Sequence, residues 1–152
     1  MSEMASPQPG PLERIAEGIR AVAGASRSAV VLGEDDGAAI HFVGAAGADA
    51  ARLIGARGPA EGSGLCGNVL AGRCSILSER TVGDPRIHQG HATEMGITTA
   101  VGVPVFHDGA AFAVLMAMNR ADGEPFTPAH EADLERYAAE IAQELWDATA
   151  AD

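Results

Sequence analysis

The sequence predicts an α+β fold built on an antiparallel sheet, and three observations carry that prediction. Residues 97–105 and 110–119 alternate as strands and flank His107-Asp108-Gly109, a tight hairpin signal. Amphipathic helices read at both ends of the chain, over residues 12–23 and from Thr127 onward. Between them the order α-β-β-α-β-β-β-α separates helices from hairpins, which suits helices packed on an antiparallel sheet.

Each element has a local reason. Leu12, Ile15, Ile19 and Val22 repeat at helical spacing behind Pro11, a favoured first helical residue. Residues 29–32 (Ala-Val-Val-Leu) read as a strand, and residues 33–37 (Gly-Glu-Asp-Asp-Gly) as a turn, because Asp and Gly tolerate the dihedrals a turn needs. Residues 40–43 form the hairpin partner. The Gly/Ala-rich stretch 44–62 holds a short helix around residues 48–54. Ser63 is placed to cap a helix over 65–71, and residues 74–78 read as a strand. Residues 79–96 form a long loop with a helical turn near 92–95; loops of that length in a small domain are usually functional.

The two best strands each have a large and a small face. Val101, Val103 and Val105 alternate with Ala100, Gly102 and Pro104; Phe112, Val114, Met116 and Met118 alternate with Ala111, Ala113, Leu115 and Ala117. A sheet covered on both sides follows, with the small face suited to close helix packing. The Met-containing face suits a core or a pocket floor, since methionine adapts its shape. In the last helix Thr127 stands at the cap, Pro128 at the first position and Glu131 in the first turn, ahead of a stripe of Leu134, Tyr137, Ala138, Ile141 and Leu145.

Composition bounds function. At 152 residues the chain makes one domain, with tails expected at 1–11 and 150–152. Thirty-one residues are Ala, so the core is thin. Ten Arg, no Lys and a net charge of −11 argue against a nucleic-acid surface and against an anionic membrane face. No apolar run reaches the roughly 18 residues of a membrane span. The first eleven residues carry no signal-peptide pattern. Two Cys, Cys66 and Cys74, in a chain read as having no export signal point to a reducing cytoplasm.

From Glu61 to Glu131 the chain runs through G-S-G-L-C-G-N-V-L-A-G-R, S-E-R-T-V-G-D-P-R-I, T-A-V-G-V-P-V, A-V-L-M-A-M-N-R and F-T-P-A-H-E. In this order and spacing the blocks resemble the GAF family of small-molecule sensor domains, over about residues 12–147. The resemblance implies a central antiparallel sheet of five to six strands. It places the terminal helices on one face and a ligand pocket on the other. The G-S-G-L-x-G turn would open a helix beneath that pocket, and the segment with Asp84-Pro85-Arg86 would form the loop over it. Candidate ligand-binding residues are then Cys66, Arg80, Asp84, Arg86, His88, His91, Glu94, Thr98, Met116 and Met118. Arg80, Asp84 and Arg86 could hold an anionic or zwitterionic molecule, or pin the loop by local hydrogen bonds.

Individual motifs narrow the family's activities. Cyclic-nucleotide-binding members carry Asn-Lys, then Phe-x3-Asp-Glu; here the residues are Asn119-Arg120, Phe126, His130 and Glu131, with His where an ion-pairing Asp is expected. Arg120 and His130 form no such ion pair at neutral pH. Cys66 in G-L-C-G resembles a redox position of the free methionine sulfoxide reductases. Their nucleophile sits in G-H-x-x-C, and here residues 90–94 read Gly-His-Ala-Thr-Glu, with Glu94 in that place. The buried-hydrophobe reading of Cys66 weighs more than the thiol reading. Some members bind haem through a loop histidine before the V-G-V-P-V strand, so His88 and His91 are either such ligands or solvated loop residues. No Cys pair has zinc-ligand spacing, and no cofactor is assigned. The resemblance favours a stand-alone regulatory domain over an enzyme. It would bind a small molecule and signal through a homodimer of its terminal helices or a protein partner, with Trp146 as an exposed anchor.

Overall fold

The computed structural model describes residues 10–150. The tails expected at 1–11 and 150–152 lie outside them, apart from Gly10, from Pro11 at the first position of a helix, and from Ala150 at the end of another. Eleven elements follow in order: α1 (Pro11–Ala23), β1 (Ala25–Glu34), β2 (Ala39–Gly47), a 3-10 turn (Ala50–Leu53), β3 (Arg57–Pro59), α2 (Leu65–Gly72), β4 (Ile76–Ser78), α3 (Gln89–Met95), β5 (Ala100–His107), β6 (Ala110–Arg120) and α4 (Pro128–Ala150). The strands make one antiparallel sheet in the order β3-β2-β1-β6-β5-β4. β1 and β6 therefore form its centre, and β3 and β4 its edges.

Both hairpins close as the turn chemistry requires. Asp35 and Asp36 have φ of 53° and 57°, and Asp108 and Gly109 have 51° and 81°. Positive φ at both central residues matches the right-handed twist of the flanking strands. The edge strand β3 is absent from the sequence reading because three residues, Arg-Gly-Pro, carry no alternation. β5 starts at Ala100 rather than residue 97. Before it, the Asn119 side chain binds Thr98 and Thr99 and takes the place of a ladder. β4 starts at Ile76, two residues later than expected.

The sheet has a core on each side. On one, Ile15 and Ile19 of α1 and Leu134, Ile141 and Leu145 of α4 bury against Val101, Val103, Val105 and Leu115. On the other, Leu65, Val69 and Leu70 of α2 bury against Val31, Val114, Met116 and Met118. The strand faces interlock differently from a simple large side and small side. The small face of β6 does meet the helices, but so does the large face of β5. The register explains it: Val101 pairs with Ala117 and Val105 with Ala113 on the helix side, while Ala100 pairs with Met118 and Gly102 with Met116 on the other. In these four pairs a large side chain faces a small one, which helps both layers pack closely. A Cβ at Gly102 would lie 3.2 Å from Leu65 and 3.4 Å from Val69, so the glycine lets α2 sit down on the sheet.

Trp146 does not stand free as the sequence suggested. It is half-buried, with its ring stacked on His107 at 4.0 Å and edge-on to Phe112 at 5.1 Å. It closes the end of the helix layer over the β5–β6 hairpin and is not an exposed anchor. Every buried side-chain nitrogen and oxygen among the described residues has a hydrogen-bond partner, as a well-ordered core requires.

Candidate functional site

Opposite the terminal helices, a cavity of about 260 Å³ opens between the sheet and the segment joining β4 to β5. Its floor is sheet: Ile40 and Phe42 from β2, Ala100 from β5, Met116 and Met118 from β6. α2 supplies Leu65 and Cys66 on one side, and Leu53 and Ala56 border it near the 3-10 turn. The roof is Ile87, His88, then His91, Ala92, Glu94 and Met95 of α3, with Ile97 behind.

The roof is held at both ends. α3 is a full helix where the sequence indicated one turn near residues 92–95. It starts at Gln89 because the His88 imidazole accepts the His91 N–H at 3.2 Å and caps it. Gln89 then ties the helix start back to the loop, donating to Thr81 O at 2.7 Å and Asp84 O at 3.0 Å. At the far end Arg27 of β1 donates to Met95 O at 2.7 Å, and Asn119 donates to Gly96 O at 2.9 Å. These four residues position the roof. Of them, sequence patterns singled out only His88 and Asn119.

Six of the ten sequence candidates meet in this cavity: Cys66, His88, His91, Glu94, Met116 and Met118. The other four do not line it. Thr98 is exposed, and both its N–H and hydroxyl donate to Asn119 Oδ1. Arg80 is exposed beyond the end of β4. Asp84 and Arg86 clasp each other: the guanidinium donates at 3.0 Å and 2.7 Å to the two carboxylate oxygens and at 3.1 Å to Leu77 O, while the Ser78 hydroxyl donates to Asp84 at 2.8 Å. The pair pins the loop.

Hydrogen bonds from Arg86 hold the Asp84 carboxyl well below the usual carboxylate range, and the same contact raises Arg86. The sign follows. The folded pKa is depressed, so the clasp stabilises fully above the unfolded carboxylate range and fades as pH falls below about 4. Asp84→Asn is expected to cost about 1–2 kcal/mol at pH 7, discounted because Arg86 is half exposed. Urea titrations of the two chains should converge on acidification; a gap that stays constant to pH 3 would contradict the clasp.

The chemistry of the cavity is apolar with a polar rim. Ser63 and Thr81 are already engaged, Ser63 with Ala60 O and the Gly67 N–H, and Thr81 with Ile97 O. The His88 and His91 rings stack at 3.8 Å and 14°, and both residues are exposed at the mouth with Glu94. Cys66, on the α2 side of the cavity, is buried with its Sγ 3.0 Å from Met116 Sδ. Burial pushes its thiol up to about 12, so it stays protonated at neutral pH, unlike a thiolate nucleophile. Cys74 is exposed and, like Cys66, free. No group of three or more His, Cys, Asp or Glu among the described residues is arranged to hold a metal ion.

The sequence frame expected for cyclic nucleotides closes a turn instead. Asn119, at φ 61°, accepts from the N–H groups of Thr98 and Thr99. Arg120 donates to Pro125 O and pairs with Asp122. His130 Nδ1 accepts the Thr127 N–H at 3.1 Å, the reciprocal half of a capping box at the start of α4.

The chain thus combines an antiparallel sheet, its terminal helices on one face, and a roofed cavity on the other. The sequence profile of the GAF domain matches residues 11–145, and the chain belongs to the GAF domain family. It resembles the GAF domain of the phosphoenolpyruvate-protein phosphotransferase from Acinetobacter, with TM-score 0.75 at 17% identity over 92% of this chain and 82% of that one. The GAF-B domain of DevS from Mycobacterium smegmatis aligns with TM-score 0.72 at 18% identity, covering 92% and 93%. The free methionine-R-sulfoxide reductase from Neisseria meningitidis, solved with its substrate, aligns with TM-score 0.71 at 20% identity, covering 91% and 77%. At these identities the likeness is one of fold. No curated protein sequence matches the chain. No described helix is long and apolar enough to cross a membrane.

Proposed function

We propose that this GAF domain is a regulatory binding protein that takes up a small organic molecule between its sheet and α3. It passes the bound state on through α1 and α4, to a second copy or a protein partner. The observation that carries the reading is the roofed cavity: an apolar floor from three strands, closed by a helix that hydrogen bonds fasten at both ends. A bound molecule would touch floor and roof together and so bias how the roof sits.

In this reading the chain is not an enzyme. Cys66 is buried as a protonated thiol beside a thioether, and Glu94 occupies the place that resembles the reductases' nucleophile. Phosphate-tracking and anionic-membrane roles stay disfavoured by the charge of −11, and a reducing cytoplasm remains the expected setting.

Native mass spectrometry of the purified chain should show a co-purified molecule, or a small-molecule screen should find one that raises the Tm. Saturation at a hundredfold over Kd stabilises by about 2.7 kcal/mol, roughly 5–10 °C for a domain of this size. A chain that is bare and indifferent to the whole screen would sink the proposal. Light scattering tests the signalling arm, which a concentration-independent monomer mass in both free and bound chain would remove for the second-copy case.

A further inference from the structure

We infer that the molecule held in this cavity is an aromatic amine, its flat ring on the methionine floor and its ammonium at Glu94. The inference rests on the binding role proposed above and gives it a ligand class.

Three observations converge. The first is charge. Among the described residues Glu94 is the only carboxylate lining the cavity, and no arginine lines it. Arg27 behind the roof is committed to Met95 O, and Arg86 to Asp84 and Leu77 O. A carboxylate or phosphate would find no arginine, and the chain has no lysine, while an ammonium meets a carboxylate at the rim of an acidic protein.

The second is sulfur. Met95, Met116, Met118 and Cys66 all line this one cavity, which gathers every described sulfur except Cys74. Polarisable thioethers favour contact with aromatic rings and adapt to their outline. Phe42 beside them adds a ring edge or face.

The third is size and donors. A cavity of about 150 Å³ accommodates benzene, so 260 Å³ leaves room for a bicyclic ring. Among the polar liners Ser63 and Thr81 are engaged with backbone, which leaves the rim of His88, His91 and Glu94 to recognise the polar end. The apolar body therefore goes inward and the charged group outward.

Three probes with one ring separate these claims: tryptamine, indole and indole-3-acetate, titrated calorimetrically into the full chain. Chemical shifts of methyl-labelled Met95, Met116 and Met118 report where each binds. Tryptamine is expected to bind about tenfold tighter than indole-3-acetate, with indole between them. In Glu94→Gln, tryptamine should fall three- to fivefold toward indole while indole is unchanged; the residue is exposed, so folding is not at issue. If indole-3-acetate equals or exceeds tryptamine while the methionine methyls still shift, the charge assignment is overturned and the binding role stands. If no probe moves the methyls but another molecule co-purifies, the aromatic-amine class is overturned. A chain that binds nothing removes both.

Discussion

Gly67→Ala is expected to destabilise the chain by about 3 kcal/mol, although alanine is the better helix former by nearly 1 kcal/mol. Gly67 lies in α2, and a Cβ there would stand 2.0 Å from Ala60 O and 2.6 Å from Ser63 Oγ. Neither atom can retreat cheaply. Ala60 O accepts from the Ser63 hydroxyl at 2.7 Å and from the Ser63 N–H at 3.1 Å, and the Ala60 N–H is bonded to Ala38 O at 2.8 Å. The helix would have to lift off this turn, and it carries Leu65 and Cys66 into the cavity wall. Gly72→Ala in the same helix is the control. Its Cβ meets only Cys74 Sγ at an ordinary 3.4 Å, so that variant should be neutral or slightly stabilised. Urea denaturation of both, with m unchanged, decides it; equal stabilities would show that the turn yields and the close approach is harmless.

That contrast shows why part of the site was legible. The G-S-G-L-C-G block predicts its own geometry because each glycine answers a local demand. Gly62 and Gly64 take φ of 81° and 96°, and Gly67 sits against a backbone oxygen. The α4 start was legible for the same reason, although His130 rather than the Thr127 hydroxyl supplies the backbone contact. Alternation alone puts Met116 and Met118 on one face of their strand, a face that suits a core or a pocket floor.

What alternation and spacing do not encode is which polar groups are already taken. Asp84 and Arg86 have the chemistry of an anion site, yet two residues of separation let them satisfy each other. Thr98 is bound to an asparagine twenty-one positions away. The roof also depends on Arg27, brought to Met95 from |i−j| of 68, and no local signal marks such a contact. Ile40 and Phe42 were readable as alternate residues of one strand, but only the β1-centred sheet order shows that they share a floor with Met116.

Phe126→Ala is expected to cost about 3–5 kcal/mol, among the largest losses any single truncation should produce here. Phe126 is fully buried in the helix-side core and lies between β6 and α4, where the chain leaves the sheet for the long terminal helix. Its N–H donates to Thr99 Oγ1 at 3.0 Å, and that hydroxyl donates to Ser78 O at 3.1 Å. Ser78 in turn holds Asp84. The ring also sets the start of α4 by meeting His130 edge-on at 5.7 Å. Truncation empties the space under the first turn of α4 without breaking these backbone contacts. The loss should therefore fall on packing, lowering the Tm by about 10 °C and reducing amide-exchange protection most strongly at the start of α4. Phe126→Leu, which keeps most of the volume, should recover all but about 1 kcal/mol. If Phe126→Ala instead lowered protection uniformly across the sheet and all helices, the junction would be an ordinary part of one cooperative core, with no separate play between α4 and the sheet.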